Sequence, residues 1–515
     1  IGMGSLALAT GSALFNSCRK KLKKPNIVFI MSDDHGEQAI SCYNDELLQT
    51  PNIDRIAREG VRFNNSFVTN SICAPSRAVL LTGKYSHLNG LRDNLDTFDN
   101  SQTTFPKLLR QNGYQTAMIG KWHLKSEPTG FDFWKILKGQ GQYYNPTFHQ
   151  KQGSKQYTGY TTDIITDQAI DFLQTRDNEK PFCMLVHHKA PHRNFMPPIK
   201  YLDKFEDKKF PIPDTFFDDY STRKKTAGDT DMRIEDMYLS LDMKLNPEDY
   251  GKQTGTGGLR EVADPQTYYK ENLTEEQLQA WNAHYDKISQ EFAEADLSGK
   301  ELTKWKYQRY LRDYAACCLS VDDNVGRLLD YLDDKDLTDD TIVIYTSDQG
   351  FYLGEHGWYD KRFMYEESLS MPLVMRYPRE IDPKQVNDEI VLNLDFAPTF
   401  LDYANAEIPN TMQGRSFRTL LNENNPDWRD AMYYHYYEYP HGWHFVKRHY
   451  GIRTHRYKLI HFYNDVDIWE LYDLKKDPDE LNNVYNDPQY SEIVKELKNR
   501  LKELRIKYRD NNFET

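Results

Sequence analysis

The chain has 515 residues, with 65 Lys plus Arg against 78 Asp plus Glu, and a formal net charge of −13. Hydrophobic residues are 39% and aromatic residues 13%, ample for a packed core and too many for a disordered chain. The acidic balance argues against a general nucleic-acid binder, while a local basic pocket can still oppose the global sign and hold an anion. Six cysteines (Cys18, Cys42, Cys73, Cys183, Cys317 and Cys318) at irregular spacing suggest neither a disulfide framework nor a zinc site.

Residues 1–18 are small and apolar, shorter than the ~20 residues of a membrane span, and read as the apolar part of a signal peptide. Phe15-Asn16-Ser17-Cys18 is similar to a loose bacterial lipoprotein box with lipid on Cys18; ordinary signal cleavage with Cys18 incidental is the other reading. Export to a bacterial periplasm is the expectation, with membrane contact only through that lipid. Residues 1–24 are thus a leader and basic spacer, and the fold is expected to begin at Pro25.

Four apolar runs read as buried parallel strands: Asn26–Met31, Gln115–Ile119, Phe182–Val186 and Thr341–Thr346. Each is followed by unusual polar residues: Asp33-Asp34-His35, Lys121-Trp122-His123, His187-His188-Lys189 with His192, and Asp348-Gln349. Sites in open α/β sheets form at the carboxyl ends of strands, so four such ends converge on one expectation. Thr50-Pro51 predicts a helix start by cap and first-turn proline, and Thr274 to Gln277 a capping box. Residues 201–265 are charged and weakly periodic, and read as a long surface insertion. From about residue 426, short alternating aromatic segments predict a small antiparallel sheet, closed by an amphipathic helix over 491–508. The fold class is α/β, with a catalytic unit over 25–425 and a C-terminal α+β subdomain over 426–515.

Adjacent carboxylates repel, so two acidic strand ends in one sheet point to a hard cation, Ca²⁺ or Mg²⁺. Cys73 precedes a helical run, where backbone N–H groups and the helix dipole favour an anion, and Arg77 one turn on can pair with the same anion. A buried structural cysteine is the plainer alternative.

Cys73-Ala74-Pro75-Ser76-Arg77, followed by Thr82-Gly83, matches the C-x-P-S-R…T-G signature throughout, and here the chain resembles the type I, formylglycine-dependent sulfatases. TPNIDRIAREGVRF, GYQTAMIGKWH, APH, YAACCLSVDDNVGRLL, TSDQG and GIRTHRYKLI follow in the family's order, so the resemblance covers most of residues 25–480. It implies an alkaline-phosphatase-like large mixed sheet flanked by helices. It also implies oxidation of Cys73 to formylglycine by a dedicated maturation enzyme. In the family the hydrated aldehyde attacks sulfur, displaces the alcohol, and then expels sulfate.

Carried onto this chain, the resemblance makes Asp33, Asp34, Asp348, Gln349 and modified Cys73 the ligands of Ca²⁺, with Mg²⁺ the lesser choice. The family more often has Asn or His at position 349. Arg77 would hold the hydrated aldehyde, Lys121 and Lys361 would contact the sulfate, and His123 would help deprotonate the diol. His192 is the expected general acid, with His188 its competitor. Asp360-Lys361-Arg362 before Tyr365-Glu366 and Pro372-Leu373-Val374 looks like the N-acetylglucosamine-6-sulfatase branch. Asp360 and Arg362 could bind sugar hydroxyls, and His455 could close the pocket from the small sheet; a surface salt-bridge cluster is the bland alternative. The expected activity is hydrolysis of 6-O-sulfated N-acetylglucosamine from glycosaminoglycan or mucin. A galactose or N-acetylgalactosamine 6-sulfatase, a phosphonate or phosphodiester hydrolase, and a non-catalytic lipoprotein that binds sulfated glycans are the competing readings.

Overall fold

The computed structural model describes residues 24–246, 270–422 and 427–510. The leader with Cys18, and part of the expected insertion, lie outside the described residues. A ten-stranded mixed sheet organises the chain. In chain order its strands are β1 (Asn26–Asp33), β2 (Val61–Phe63), β3 (Gln115–Lys121), β4 (Phe133–Leu137), β5 (Thr147–Gln150), β6 (Gly153–Gln156), β7 (Phe182–Pro191), β8 (Thr341–Ser347), β9 (Leu373–Arg376) and β10 (Gln385–Asn387). Their spatial order is β10-β2-β9-β8-β1-β7-β3-β4-β5-β6. The four strands expected from sequence, β8, β1, β7 and β3, are consecutive and mutually parallel. Their carboxyl ends therefore open side by side.

Alternation along β1 divides the core. Val28 and Ile30 pack with α1 (Pro51–Arg58), α3 (Thr161–Thr175) and α5 (Gly299–Asp334). Ile27, Phe29 and Met31 face the other way, towards α2 (Cys73–Thr82) and α6 (Phe396–Tyr403). Helix α4 (Glu275–Ala295) opens on the expected capping box, in which the Thr274 side chain accepts from the Gln277 backbone and Gln277 answers at Thr274. No helix among the described residues is long and apolar enough to cross a membrane.

A four-stranded antiparallel sheet, β11 (Ala431–Tyr436), β12 (His449–Thr454), β13 (Tyr457–Phe462) and β14 (Ile468–Asp473), carries α7 (Ser491–Lys507). Its core is continuous with Ile72, Val79, Trp358 and Phe363, so it is packed directly behind the segments that hold Cys73 and Lys361.

Two expectations need correction. Residues 201–246 are not a surface excursion: Met232, Ile234, Met237 and Met243 are fully buried, and Lys244 and Asp242 form buried ion pairs with Asp313 and Arg193, both at 2.7 Å. Their weak periodicity reflects a coil that packs residue by residue, without a regular face. Thr50 does not cap α1 with its side chain; its hydroxyl instead accepts from the Ser41 backbone N–H at 2.9 Å. Asp322 of α5 takes the cap role, accepting from the Asn52 and Ile53 N–H groups at 3.0 and 2.8 Å. Asp322→Ala should therefore lower stability by about 1–3 kcal/mol, read as an earlier urea midpoint, whereas Asp322→Asn should retain part of it.

Candidate active site

Each strand end contributes a charged or metal-ligating group. Asp33 ends β1, and Asp34 follows it with φ 67°, a left-handed conformation that aspartate tolerates better than most residues and that turns the chain out of the strand. Gly120, the penultimate residue of β3, has φ 101°, and a Cβ there would lie 2.0 Å from the His187 carbonyl oxygen. Glycine is required at this point for the strand to turn Lys121 into the site. Asp348 and Gln349 follow β8, and the Asp34 N–H donates to Asp348 Oδ1 at 3.2 Å.

Cys73 is the first residue of α2 and is buried. The Ala74 N–H is capped by Asn94 Oδ1 at 3.2 Å. Burial pushes the Cys73 thiol up to about 12, with Lys361 opposing and Asp348 and Asp34 adding to the rise, so an unconverted cysteine here is a thiol. Sγ lies 4.0 Å from Gln349 Nε2. Cys73, Asp33 and His192 bring donor atoms within 4.8 Å of one another, as do Asp33, Asp34 and Asp348.

Cations match these carboxylates. Arg77 donates to Asp348 Oδ2 from Nε and Nη2 at 3.0 and 2.8 Å. Lys361 Nζ donates to both Asp34 oxygens at 2.6 and 2.7 Å, and Lys121 Nζ to Asp33. Burial pushes the Asp34 carboxyl up to about 6; Lys361 pulls it down, and Asp348 and Asp360 add to the rise. Asp34 thus keeps a raised carboxyl even with Lys361 bound to it, in a cluster of three carboxylates withdrawn from water. The donor chemistry fits a hard divalent cation: the carboxylates converge, and Asp33 Oδ1 and Gln349 Oε1 are buried with no hydrogen-bond partner among the described residues. A half-turn of the Gln349 amide exchanges Nε2 for Oε1 towards Asp34 and Cys73 without changing its shape.

The histidines separate clearly. His192 is half-buried; its Nδ1 donates to its neighbour's carbonyl, Arg193 O, at 2.7 Å, which leaves Nε2 facing the site, 3.8 Å from Asp34 Oδ2. Burial, then the charges of Lys121, Lys361 and Lys189, hold its ring well below the ordinary histidine range. His188 is fully buried, neither ring nitrogen has a hydrogen-bond partner among the described residues, and burial pushes it down to about 3. His123 is half-buried with Nδ1 unpartnered, and is likewise held well below its ordinary range by burial and then by Lys121 and Arg77.

Asp360 and Arg362 flank Lys361 with φ 79° and 97°, and both are nearly buried. They form a paired cluster inside the protein and not on its surface. Asp360 Oδ2 meets His444 Nε2 at 3.1 Å, and Arg362 Nη1 donates to Glu438 Oε1 at 2.6 Å. His455 does not join them. It is exposed in the turn after β12, whereas Arg362 meets the Tyr436 end of the sheet, paired with His449. A six-residue strand separates the two ends by about 20 Å. His444, in the loop before β12, occupies the position expected of His455. Sequence reasoning also missed Tyr314, whose hydroxyl donates to the Asp34 carbonyl at 2.8 Å, and Gln140, which accepts from Lys121. Tyr314 lies on the apolar stripe of α5 and carries no separate signal in the sequence.

Residues 25–406 match the family described as Sulfatase, and residues 354–507 match the C-terminal region of N-sulphoglucosamine sulphohydrolase. The chain belongs to the sulfatase family. It is an enzyme of sulfate-ester hydrolysis, in a family that uses formylglycine and a divalent metal. It is 52% identical to the N-acetylglucosamine-6-O-sulfatase of Bacteroides thetaiotaomicron, over 98% of this chain and 91% of that one. A solved structure of a protein in complex with its substrate D-glucosamine-2-N,6-O-disulfate superposes with a TM-score of 0.91 at 51% identity, covering 95% of this chain and 99% of that one. The phosphonate monoester hydrolase of Agrobacterium radiobacter shares the fold, with a TM-score of 0.68 at 20% identity over 94% and 96% of the chains.

If the carboxylates hold a divalent ion, calcium at 100 times its Kd should raise stability by about 2.7 kcal/mol. The shift, read by thermal melting with and without chelator, should disappear in Asp33→Asn/Asp348→Asn.

Proposed function

We propose that this sulfatase hydrolyses the 6-O-sulfate of N-acetylglucosamine-type sugars from glycosaminoglycan or mucin glycans. Cys73, matured to formylglycine by a dedicated enzyme, and Ca²⁺ held by Asp33, Asp34, Asp348, Gln349 and residue 73, complete the site. The observation that carries this reading is the placement of Lys361 on Asp34 with Asp360, Arg362 and His444 immediately beside it. A sulfate anchor and a buried set of hydrogen-bonding groups for a sugar thereby share one wall. The 52% identical N-acetylglucosamine-6-O-sulfatase supports it.

When present, the hydrated aldehyde would supply the attacking hydroxyl, and the cation would stabilise charge on the sulfate. The chain's own residues do the rest. Arg77, fixed by its fork on Asp348, orients the group at position 73. Lys121 and Lys361 bind ester oxygens as fixed charges that need no reorganisation. His192 carries its structural proton on Nδ1, so Nε2 is the atom that receives a proton and delivers it to the leaving O6. An anionic ester seated among the lysines offsets the field that depresses this ring. His123, the next strand-end histidine after Lys121, is assigned the proton taken up during sulfate release. His188, sealed and unpartnered, is assigned no proton transfer.

Export to the periplasm, with or without lipid on Cys18, is proposed on the apolar leader alone. Mass analysis of the mature chain from its native host tests it.

In matured enzyme, Cys73→Ala should abolish turnover. His192→Ala should lower kcat about 10²–10⁴-fold on sugar sulfates but much less on an aryl sulfate, whose phenolate leaves without a proton. Equal losses on both would remove His192 as the acid. His444→Ala should raise KM for 6-sulfated N-acetylglucosamine by about tenfold or more through the loosened Asp360, while His455→Ala should leave the kinetics within about twofold. Turnover of only the galacto epimer would displace the glucosamine assignment, and preference for a phosphodiester would displace sulfate.

A further inference from the structure

Four cations of the site each face a carboxylate: Arg77 with Asp348, Lys121 with Asp33, Lys361 with Asp34 and Arg362 with Glu438. Lys189, near the carboxyl end of β7, breaks the pattern. It is only 5% exposed, yet among the described residues its ammonium has no ion-pair partner; its close neighbour is the face of Tyr143, 4.7 Å to the ring centroid. Burial pushes Lys189 down to about 8, with Asp34 opposing, so the side chain is still charged at neutral pH. A buried ammonium without a counter-anion is unfavourable unless a ligand supplies one.

Lys189 lines a cavity of about 230 Å³ together with Gln142, Tyr143, Asn194 and Asn272. At roughly 30 Å³ per water molecule, this holds a sulfate or carboxylate with room for hydration. The one carboxylate on its lining, Glu271, is exposed. Hydrogen bonds tie the segment that lines this cavity to the candidate site. Gln140, two residues before Gln142, accepts from Lys121, and the Tyr143 hydroxyl donates to the His192 carbonyl.

We propose that Lys189 and this cavity bind a second anionic group of the substrate, a sulfate or carboxylate distinct from the scissile ester. The inference rests on the glucosamine-6-sulfatase reading and adds to it a substrate class, saccharides with at least two negative charges. The second charge has two sources, an N-sulfate on the same sugar or the carboxylate of an adjoining uronic acid.

The test compares matured wild type, Lys189→Met and Lys189→Arg on three substrates: N-acetylglucosamine 6-sulfate, glucosamine-2-N,6-O-disulfate, and a disaccharide of 6-sulfated N-acetylglucosamine and a uronic acid. Melting temperatures establish that the variants fold. Loss of a charge-assisted contact should reduce kcat/KM on at least one doubly charged substrate by about 10- to 100-fold in Lys189→Met, against less than about threefold on the singly charged one. Lys189→Arg should restore much of that selectivity, and the substrate that suffers identifies the source of the charge. Equal losses on all three, which would place Lys189 on the scissile sulfate, overturn the inference, as does no loss on any. Wild type that turns over none of the three overturns the parent reading, and this one with it.

Discussion

The constraint on which the rest depends is the burial of Asp33, Asp34 and Asp348 at neighbouring strand ends. Three carboxylates withdrawn from water are untenable alone, and the structure answers with Arg77, Lys121 and Lys361, each from a different element. The parallel order β8-β1-β7-β3 makes this convergence unavoidable. Four strands about 4.8 Å apart set a site about 14 Å wide, the scale of one or two sugar rings.

Lys361 comes from none of those strands. It is carried by a segment with a departure from ordinary backbone geometry on either side of it, at Asp360 and Arg362, and such a segment persists only where its surroundings over-determine it. The small sheet supplies that support. Tyr434 donates to the Arg362 carbonyl at 2.7 Å, Glu438 pairs with Arg362, and the same Glu438 accepts from the Asn94 N–H at 3.0 Å. Asn94 caps the first turn of the helix that begins at Cys73. One polar chain thus connects Cys73, Lys361 and the Asp360–Arg362 cluster, so the C-terminal sheet is part of the candidate site.

The elements legible in the sequence are those whose signal is local. Runs such as Asn26–Met31 announce buried strands by composition, Thr274 to Gln277 announces a cap by spacing, and polar residues after each strand announce the site. What failed depends on pairing over distance. Nothing near Pro51 reveals that Asp322, 270 residues from Asn52, would serve as its cap. The sequence shows that His455 lies in a turn, but not which end of the antiparallel sheet meets Arg362, and His444 stands at the other end. The coil over 201–246 lacks periodicity because its buried methionines fill gaps singly, so a pattern of faces was absent where a core nevertheless formed. Lys189 reads as one more basic residue until the partners of its neighbours are known.

A shared fold does not choose the ester. A phosphonate monoester hydrolase at 20% identity shares the fold, so the architecture by itself does not name the substrate. Choice must come from groups that would be left unpaired by the wrong ligand. A pocket that only excludes by size discriminates by about 10–200-fold, whereas one built to hydrogen-bond a particular hydroxyl can reach about 10⁴–10⁵. Under the proposed function, Asp360, Arg362 and His444 are the candidates for the second kind: buried, polar and held in place by one another. In that reading an epimer that moves one hydroxyl would forgo a charge-assisted hydrogen bond to one of them, a loss that falls on the sugar and not on the sulfate. The proposed function therefore assigns selectivity for the sugar and reactivity towards the ester to different residues that meet at Lys361.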